Sequence, residues 1–382
     1  MSRSNDPGHY FQTTSALNET ARKAAKSKNT NGRPIKLPSK ILAVVADPQE
    51  ENQVYVAEAA GNVKLLNIQT SSVTCTFSGP TAPLTSVAVA PGHGTTVLAG
   101  CWDKSIWSWS ASTRKPGKRF EGHTDFVKAI VVCVLDGKDC LISASADATI
   151  IVWHVASGAK LHTIKGHTRG ILALAIDPNH ADIDMGRCCC LVSAGSDREI
   201  RRWHVSPQTF WEMESSPIIA HETSVNAIRF DADYDLWTAS ADKTAKCLVR
   251  ARQYQQDTQL EHPDFVRDVA IDDEGGWIAT ACRDEEVRVW DKATGKLHHT
   301  FTGHFEEVTA LLLLPRQRLI SVGIDATVRQ WSLRAPELAK AVQEAEEERL
   351  GKTKEQEPET KKEGIMTAEE EAELAELLED SE

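Results

Sequence analysis

His123, Ser143 and Asp147 are the residue types of a hydrolytic triad: a general base, a nucleophile and a carboxylate that orients the base. The same set returns as His167, Ser193 and Asp197, as His221, Thr238 and Asp242, as His262, Thr280 and Asp284, and as His304, Ser321 and Asp325. An active site is not built several times over in one chain, so the recurrence points to structure and no residue is expected to be catalytic. A buried carboxylate needs such partners. Cys188, Cys189 and Cys190 raise the question of a metal. Neighbours on a strand face opposite sides, however, and no Cys-x-x-Cys cluster elsewhere completes a zinc set. No Gly-x-x-x-x-Gly-Lys loop is present to cradle a phosphate. Neither a metal nor a cofactor is expected.

The elements that position these residues also recur. From Leu141 to Asp147 an alternating run of apolar and small residues meets an aspartate, and Trp153 follows six residues later. The shape returns from Leu191 to Asp197 with Trp203, from Ile278 to Asp284 with Trp290, and from Leu319 to Asp325 with Trp331. Each reads as two short strands joined by a tight turn at the Asp. Weaker copies lead to Leu66, Trp109 and Leu248 where the Trp is expected, and Trp107 stands two residues before the second of these. Positions 66, 109, 153, 203, 248, 290 and 331 are 43, 44, 50, 45, 42 and 41 residues apart. A second mark precedes the Asp as Gly122-His123, Gly166-His167, Ala220-His221, Glu261-His262 and Gly303-His304.

A unit of this length, with Gly-His early and Trp late, resembles the WD-repeat family of β-propellers. The resemblance covers residues 41–334 and implies an all-β, seven-bladed propeller with four strands per blade. In the third unit, 127–134, 141–145, 150–154 and 160–164 read as the four strands. The longer fourth spacing is assigned to an insertion around residues 181–187. After Trp331 too little chain remains before Pro336 to complete the last blade. In this family the N-terminal segment supplies the missing strand, for which residues 32–37 are the candidate.

The resemblance also implies that the His, Ser/Thr, Asp and Trp of each unit form a hydrogen-bonded tetrad. The fifth unit ends in Leu248 and should have an incomplete network; the first two units lack the His and should form looser blades. Partners of such proteins meet the top face, built just after the Gly-His and just before the turn Asp. Those positions include Trp102, Phe126 and Lys128 on adjacent units, and Phe265, Arg267 and Arg283 on one unit. Aromatics and Arg dominate interface energetics, although both Phe residues can equally cap their own blades. Arg267 and Arg283 are expected to be exposed. The Trp-Asp-x-Arg mark of ubiquitin-ligase adaptors is missing, since Trp290-Asp291 is followed by Lys292-Ala293.

Composition bounds the rest. Hydrophobic residues make up 41% and charged residues 26% of 382, values of a globular chain. The longest apolar run, Ala310 to Pro315, is too short to span a bilayer. The leader carries Arg3, Asp6, Glu19 and Arg22 without an apolar centre, which excludes a secretory signal. Nine cysteines then point to a reducing compartment, cytoplasm or nucleus.

Charge is unevenly placed. Residues 1–40 hold eight Lys/Arg against Asp6 and Glu19, a net +6, whereas residues 335–382 hold six Lys/Arg against seventeen acids, a net −11. The expected organisation is a basic leader (1–32) with a helix near 13–28, the propeller (33–334), and an acidic tail (335–382). The tail reads as a charged helix over 337–350, a linker, and a Leu-striped helix beginning at Thr367. The function this supports is a non-catalytic, monomeric scaffold that binds other proteins through its surface and tail. The alternative is a propeller associated with RNA or ribonucleoprotein through its basic leader.

Overall fold

The computed structural model describes residues 14–92, 94–180 and 186–349. The chain divides into two units, Met1–Ala335 and Pro336–Glu382. In the first, seven antiparallel sheets follow one another over residues 41–77, 84–121, 127–165, 171–219, 225–261, 266–301 and 308–332. The innermost strand of each sheet packs on that of the next, and the seventh packs on the first. The result is a closed seven-bladed propeller around a central channel.

Blade 3 shows why these residues fold so. Its strands are Val127–Leu135, Lys138–Ser145, Thr149–His154 and Lys160–Lys165. The second strand is buried along nearly its whole length, because neighbouring blades cover both faces. Its apolar and small residues suit such two-sided packing. The outermost strand buries only Ile164 and turns its lysines to solvent.

The hairpin at each Asp requires a left-handed residue, and φ is 73° at Lys104, 63° at Ala148, 71° at Arg198, 70° at Lys243, 77° at Glu285 and 61° at Ala326. A side-chain-bearing residue is strained there. The Asp offsets this cost by accepting the N–H two residues on, at 3.0 Å from Ser105, 2.9 Å from Thr149 and 3.0 Å from Thr327.

Blade 7 is completed by Ile35–Lys36, which pairs with Thr327–Ser332 in the register Ile35 to Val328. The expected segment therefore joins the two ends of the propeller chain. Gly32 has φ +68°, and a Cβ there would lie 2.8 Å from the Trp331 ring. Blades 1 and 2 are not looser, contrary to expectation: Val54, Val56, Leu66, Val97, Leu98 and Trp109 are fully buried. Other groups hold their turns. A buried Glu58–Lys64 ion pair at 2.9 Å serves blade 1. In blade 2, Asp103 receives Ser105 at 2.6 Å and the Trp107 indole at 2.8 Å.

Two α-helices occur among the described residues. Helix α1, Thr14–Lys26, precedes the propeller, with Lys23 and Lys26 in its last turn, where cations suit the dipole. Helix α2, Ala335–Arg349, opens the second unit with Pro336 and Glu337 in its first turn. The expected linker and second tail helix lie outside the described residues, as do residues 181–185 of the insertion. No helix among the described residues is long and apolar enough to cross a membrane.

Candidate interaction face

In blade 3, His123 Nδ1 lies 3.0 Å from Asp147 and Nε2 lies 2.8 Å from Ser143 Oγ, which accepts the Trp153 indole N–H at 2.9 Å. Blade 4 repeats this with His167 at 2.9 Å from Asp197 and 2.8 Å from Ser193, and Trp203 at 2.8 Å from Ser193. In blade 7 the distances are 2.9 Å from His304 to Asp325, 2.7 Å to Ser321 and 2.8 Å from Trp331 to Ser321. Blade 5 keeps His221 at 2.8 Å from Asp242 and 2.7 Å from Thr238, but Leu248 has no donor to add. The N–H after each His also reaches the Asp, at 2.8 Å from Thr124, 2.9 Å from Thr168 and 3.1 Å from Glu222.

Every hydroxyl of these networks is 0% exposed, so none offers a substrate an approach. Burial pushes each Asp carboxyl up, but hydrogen bonds from the His and the backbone, joined at Asp147 and Asp242 by a threonine hydroxyl, outweigh it. Asp197 falls to about 2, and Asp147 and Asp242 fall further. His167, Asp197 and Glu199 do bring three metal-ligand types together. Asp197 is already engaged by His167, and Glu199 pairs with Arg201 at 2.7 Å.

Blade 6 departs from the expectation. His262 keeps Thr280 at 2.8 Å and Trp290 reaches Thr280 at 2.9 Å, but Nδ1 donates to the Leu260 carbonyl at 3.1 Å instead of meeting Asp284. Asp284 is held by Arg288 at 2.5 and 3.1 Å. The neighbour that sets blade 6 apart is Pro263, which follows His262 and has no N–H to give the carboxylate. Thr149, Thr244 and Thr327 bring a hydroxyl to their Asp at 2.7, 2.6 and 2.9 Å. Its absence at Glu286 is not the cause, because blade 4 carries Glu199 in that place and keeps its His–Asp contact. Burial and the Arg288 charge then push the His262 imidazole down to about 4.

Each inner strand carries one extra residue near its start, where the register slips: Leu42, Thr85, Lys128, Leu172, Asn226, Arg267 and Thr309. Such bulges re-aim a side chain. Thr85 donates to the Val127 carbonyl, Asn226 to Val266 at 2.8 Å, Thr309 to Ile41 at 2.8 Å, and Arg267 to Glu307. These four tie one blade to the next, a role the sequence did not reveal. Arg267 is thus an inter-blade partner of Glu307, not the free exposed cation expected.

Lys128 does otherwise. Its ammonium lies 5.4 Å over the Trp102 ring and 5.6 Å over Phe126, and these rings stack at 5.0 Å and 15°. Trp102 and Phe126 remain 39% and 36% exposed. The ammonium makes no hydrogen bond or ion pair with a described residue, and burial lowers its pKa. The structure therefore brings Trp102, Phe126 and Lys128 into one patch. Phe265, Arg267 and Arg283 form no equivalent: Arg283 covers Phe265 at 5.1 Å and lies 4.0 Å from Asp264, while Arg267 is turned to Glu307.

The channel holds about 670 Å³ and is lined mainly by aliphatic residues of all seven blades. Its Asp268 accepts the Leu311 N–H at 3.0 Å and faces Arg229 at 3.4 Å, with no nucleophile paired to a base among the described lining residues. Cys189 and Cys190 point apart, to Cys133 at 4.0 Å and Met213 at 3.3 Å. Burial pushes the Cys190 thiol up to about 12, so it is protonated at neutral pH.

Seven radial sheets, six of four strands and the fourth of five, with His–Ser/Thr–Asp–Trp networks define a WD-type propeller. The chain belongs to the WD-repeat family: the family model described as "WD domain, G-beta repeat" matches residues 71–110, 114–154, 158–204, 214–247, 254–291 and 295–332. Each match starts on or ahead of the outer strand of one blade and ends in or next to the third strand of the following blade. An uncharacterized WD repeat-containing protein of Schizosaccharomyces pombe is 36% identical, over 99% of this chain and 100% of that protein. A nuclear distribution protein of Arthroderma benhamiae is 28% identical over 60% of this chain, which covers 40% of that protein. Cilia- and flagella-associated protein 52 of Mus musculus is 25% identical over 74% of this chain, which covers 51% of that protein.

Proposed function

We propose that the protein is a non-catalytic scaffold that assembles other proteins in the cytoplasm or nucleus, with the patch of Trp102, Phe126 and Lys128 as its principal contact. The observation that carries this reading is the half-buried Lys128 ammonium, which lies over an exposed aromatic stack and has no acceptor of its own. A half-buried cation without a hydrogen bond or ion pair loses hydration, which the nearby Asp125 charge offsets only in part. A protein segment bringing a carboxylate to Lys128 and an apolar side chain to Trp102 removes that cost and buries ring surface. The acidic tail is a second contact in this reading. Relatives named for nuclear distribution and for cilia and flagella agree with a role in assemblies. The RNA reading has less support, because Arg22, Lys23 and Lys26 of the basic leader are engaged in ion pairs with the propeller.

The test is affinity purification of the full chain from its own cells, with and without ribonuclease, over a salt series. The scaffold reading expects a defined set of proteins that survives ribonuclease. A set lost on ribonuclease treatment, with a steep salt dependence, favours the RNA reading.

A further inference from the structure

Helix α1 is seated on the turns of blades 6 and 7. Both Arg22 Nη atoms donate to Glu285, at 2.8 and 2.6 Å. Lys26 bridges Glu285 and Glu286 at 3.0 and 2.7 Å, and Lys23 meets Glu306 at 3.1 Å. Leu17, Ala21, Ala24 and Ala25 stay exposed, so among the described side chains the helix is held by charge and not by apolar burial. The glutamates are buried or half-buried, but the Arg22 side chain is 53% and the Lys23 side chain 27% exposed, so these pairs stay open to solvent and to screening by salt. Helix α1 has the hold of an exchangeable occupant.

Blade 6 is built for such an occupant. At the left-handed turn position, where blades 2, 4 and 5 carry Lys104, Arg198 and Lys243, it carries Glu285, buried beneath the cations. Glu286 adds a second carboxylate, and Pro263 removes the backbone donor after His262, so that Asp284 is held by Arg288 and not by His262. Burial pushes both glutamates up; Arg22 and Lys26 reverse this at Glu285, whereas Glu286 stays raised. One Glu286 oxygen, Oε2, is buried without a hydrogen bond among the described residues. The acidic surface has more acceptor capacity than α1 fills.

We propose that this acidic surface of blades 6 and 7 is a docking site for a basic helix of a partner protein, and that α1 occupies it until that helix competes. The site is separate from the Trp102 patch and does not depend on it.

The test uses the full chain carrying Arg22→Gln, Lys23→Gln and Lys26→Gln. The probe is a fluorescent peptide of this chain's own residues 14–28, followed by anisotropy. Because a tethered helix competes at high effective concentration, the peptide is expected to bind the triple variant at least about tenfold more tightly than wild type. Binding should weaken at least about tenfold between roughly 0.05 and 0.5 M salt, and disappear when Glu285→Gln and Glu286→Gln are added. Equal binding to wild type and triple variant overturns the proposal, as does binding indifferent to the glutamates. A triple variant that melts far below wild type and takes up no peptide also overturns it, by making α1 a structural part of the ring. RNA retention by wild type that is lost in the triple variant overturns it too, by assigning the cations to an anionic partner.

Discussion

Asp147 and His304 each sit in a closed network in which every member has a buried partner. Removing one member leaves another buried and unsatisfied, so Asp147→Ala or His304→Ala should each cost ~1–3 kcal/mol in chemical denaturation. Blade 6 behaves differently with pH. The folded pKa of His262 lies near 4, below the ordinary 6.5, so the unfolded chain binds a proton more readily between those values. Its contribution is full above pH 6.5 and is lost as pH falls towards 4, by about 3 kcal/mol at most. The melting temperature should therefore drop over that window, and His262→Gln should flatten the drop. An unchanged profile in the variant would contradict this account of blade 6. The Asp residues of the other networks act lower. Asp197, with a folded pKa of about 2, contributes fully above its ordinary value of 3.8 and loses its contribution as pH falls through 2.

Among the elements, the inner strands and the closing strand fix the geometry of the face. Gly32 passes the Trp331 ring with positive φ, so Gly32→Ala should destabilise by ~1–3 kcal/mol through strain and displacement of that ring. Arg267→Glu would place a carboxylate against Glu307 and should cost ~1–2 kcal/mol, whereas Arg283→Glu, at a half-exposed site, should stay within ~0.5 kcal/mol. Equal denaturation midpoints for the two would show that Arg267 ties no blades together. The blades were legible in the chain because strand, turn and Trp recur in register, and the closing strand because the last unit ends short. The bulges were not legible. Their residues run from Leu42 to Lys128 to Thr309, and nothing in residue type marks a backbone irregularity. The altered blade 6 network did leave a signal in Pro263, which cannot donate to Asp284.

On the scale of the whole molecule, helix α1 meets a local cluster of acids. Blades 6 and 7 present Glu285, Glu286 and Glu306 under helix α1, while blades 2 to 5 carry Lys104, Lys128, Arg198 and Lys243. The charge map showed a basic leader and an acidic tail, but not that the leader's cations would meet glutamates on blades 6 and 7. The adjacent pair Glu285-Glu286, at a turn where other units place Gly, Lys, Arg or Ala before the next residue, was the available sign. The Trp102 patch was readable as three positions; that they would touch, and that Lys128 would lack an acceptor, required the bulge. The most direct test of the interaction face is quantitative interaction mass spectrometry on wild type and Lys128→Glu, with thermal melting as a control for folding. The account predicts a melting temperature within ~2–3 °C of wild type, because the contact of Lys128 with the next blade, its ammonium over the Trp102 ring, is worth only about 0.5–1 kcal/mol at an exposed site, and loss of the principal partner. An equally stable variant that retains every partner would contradict it.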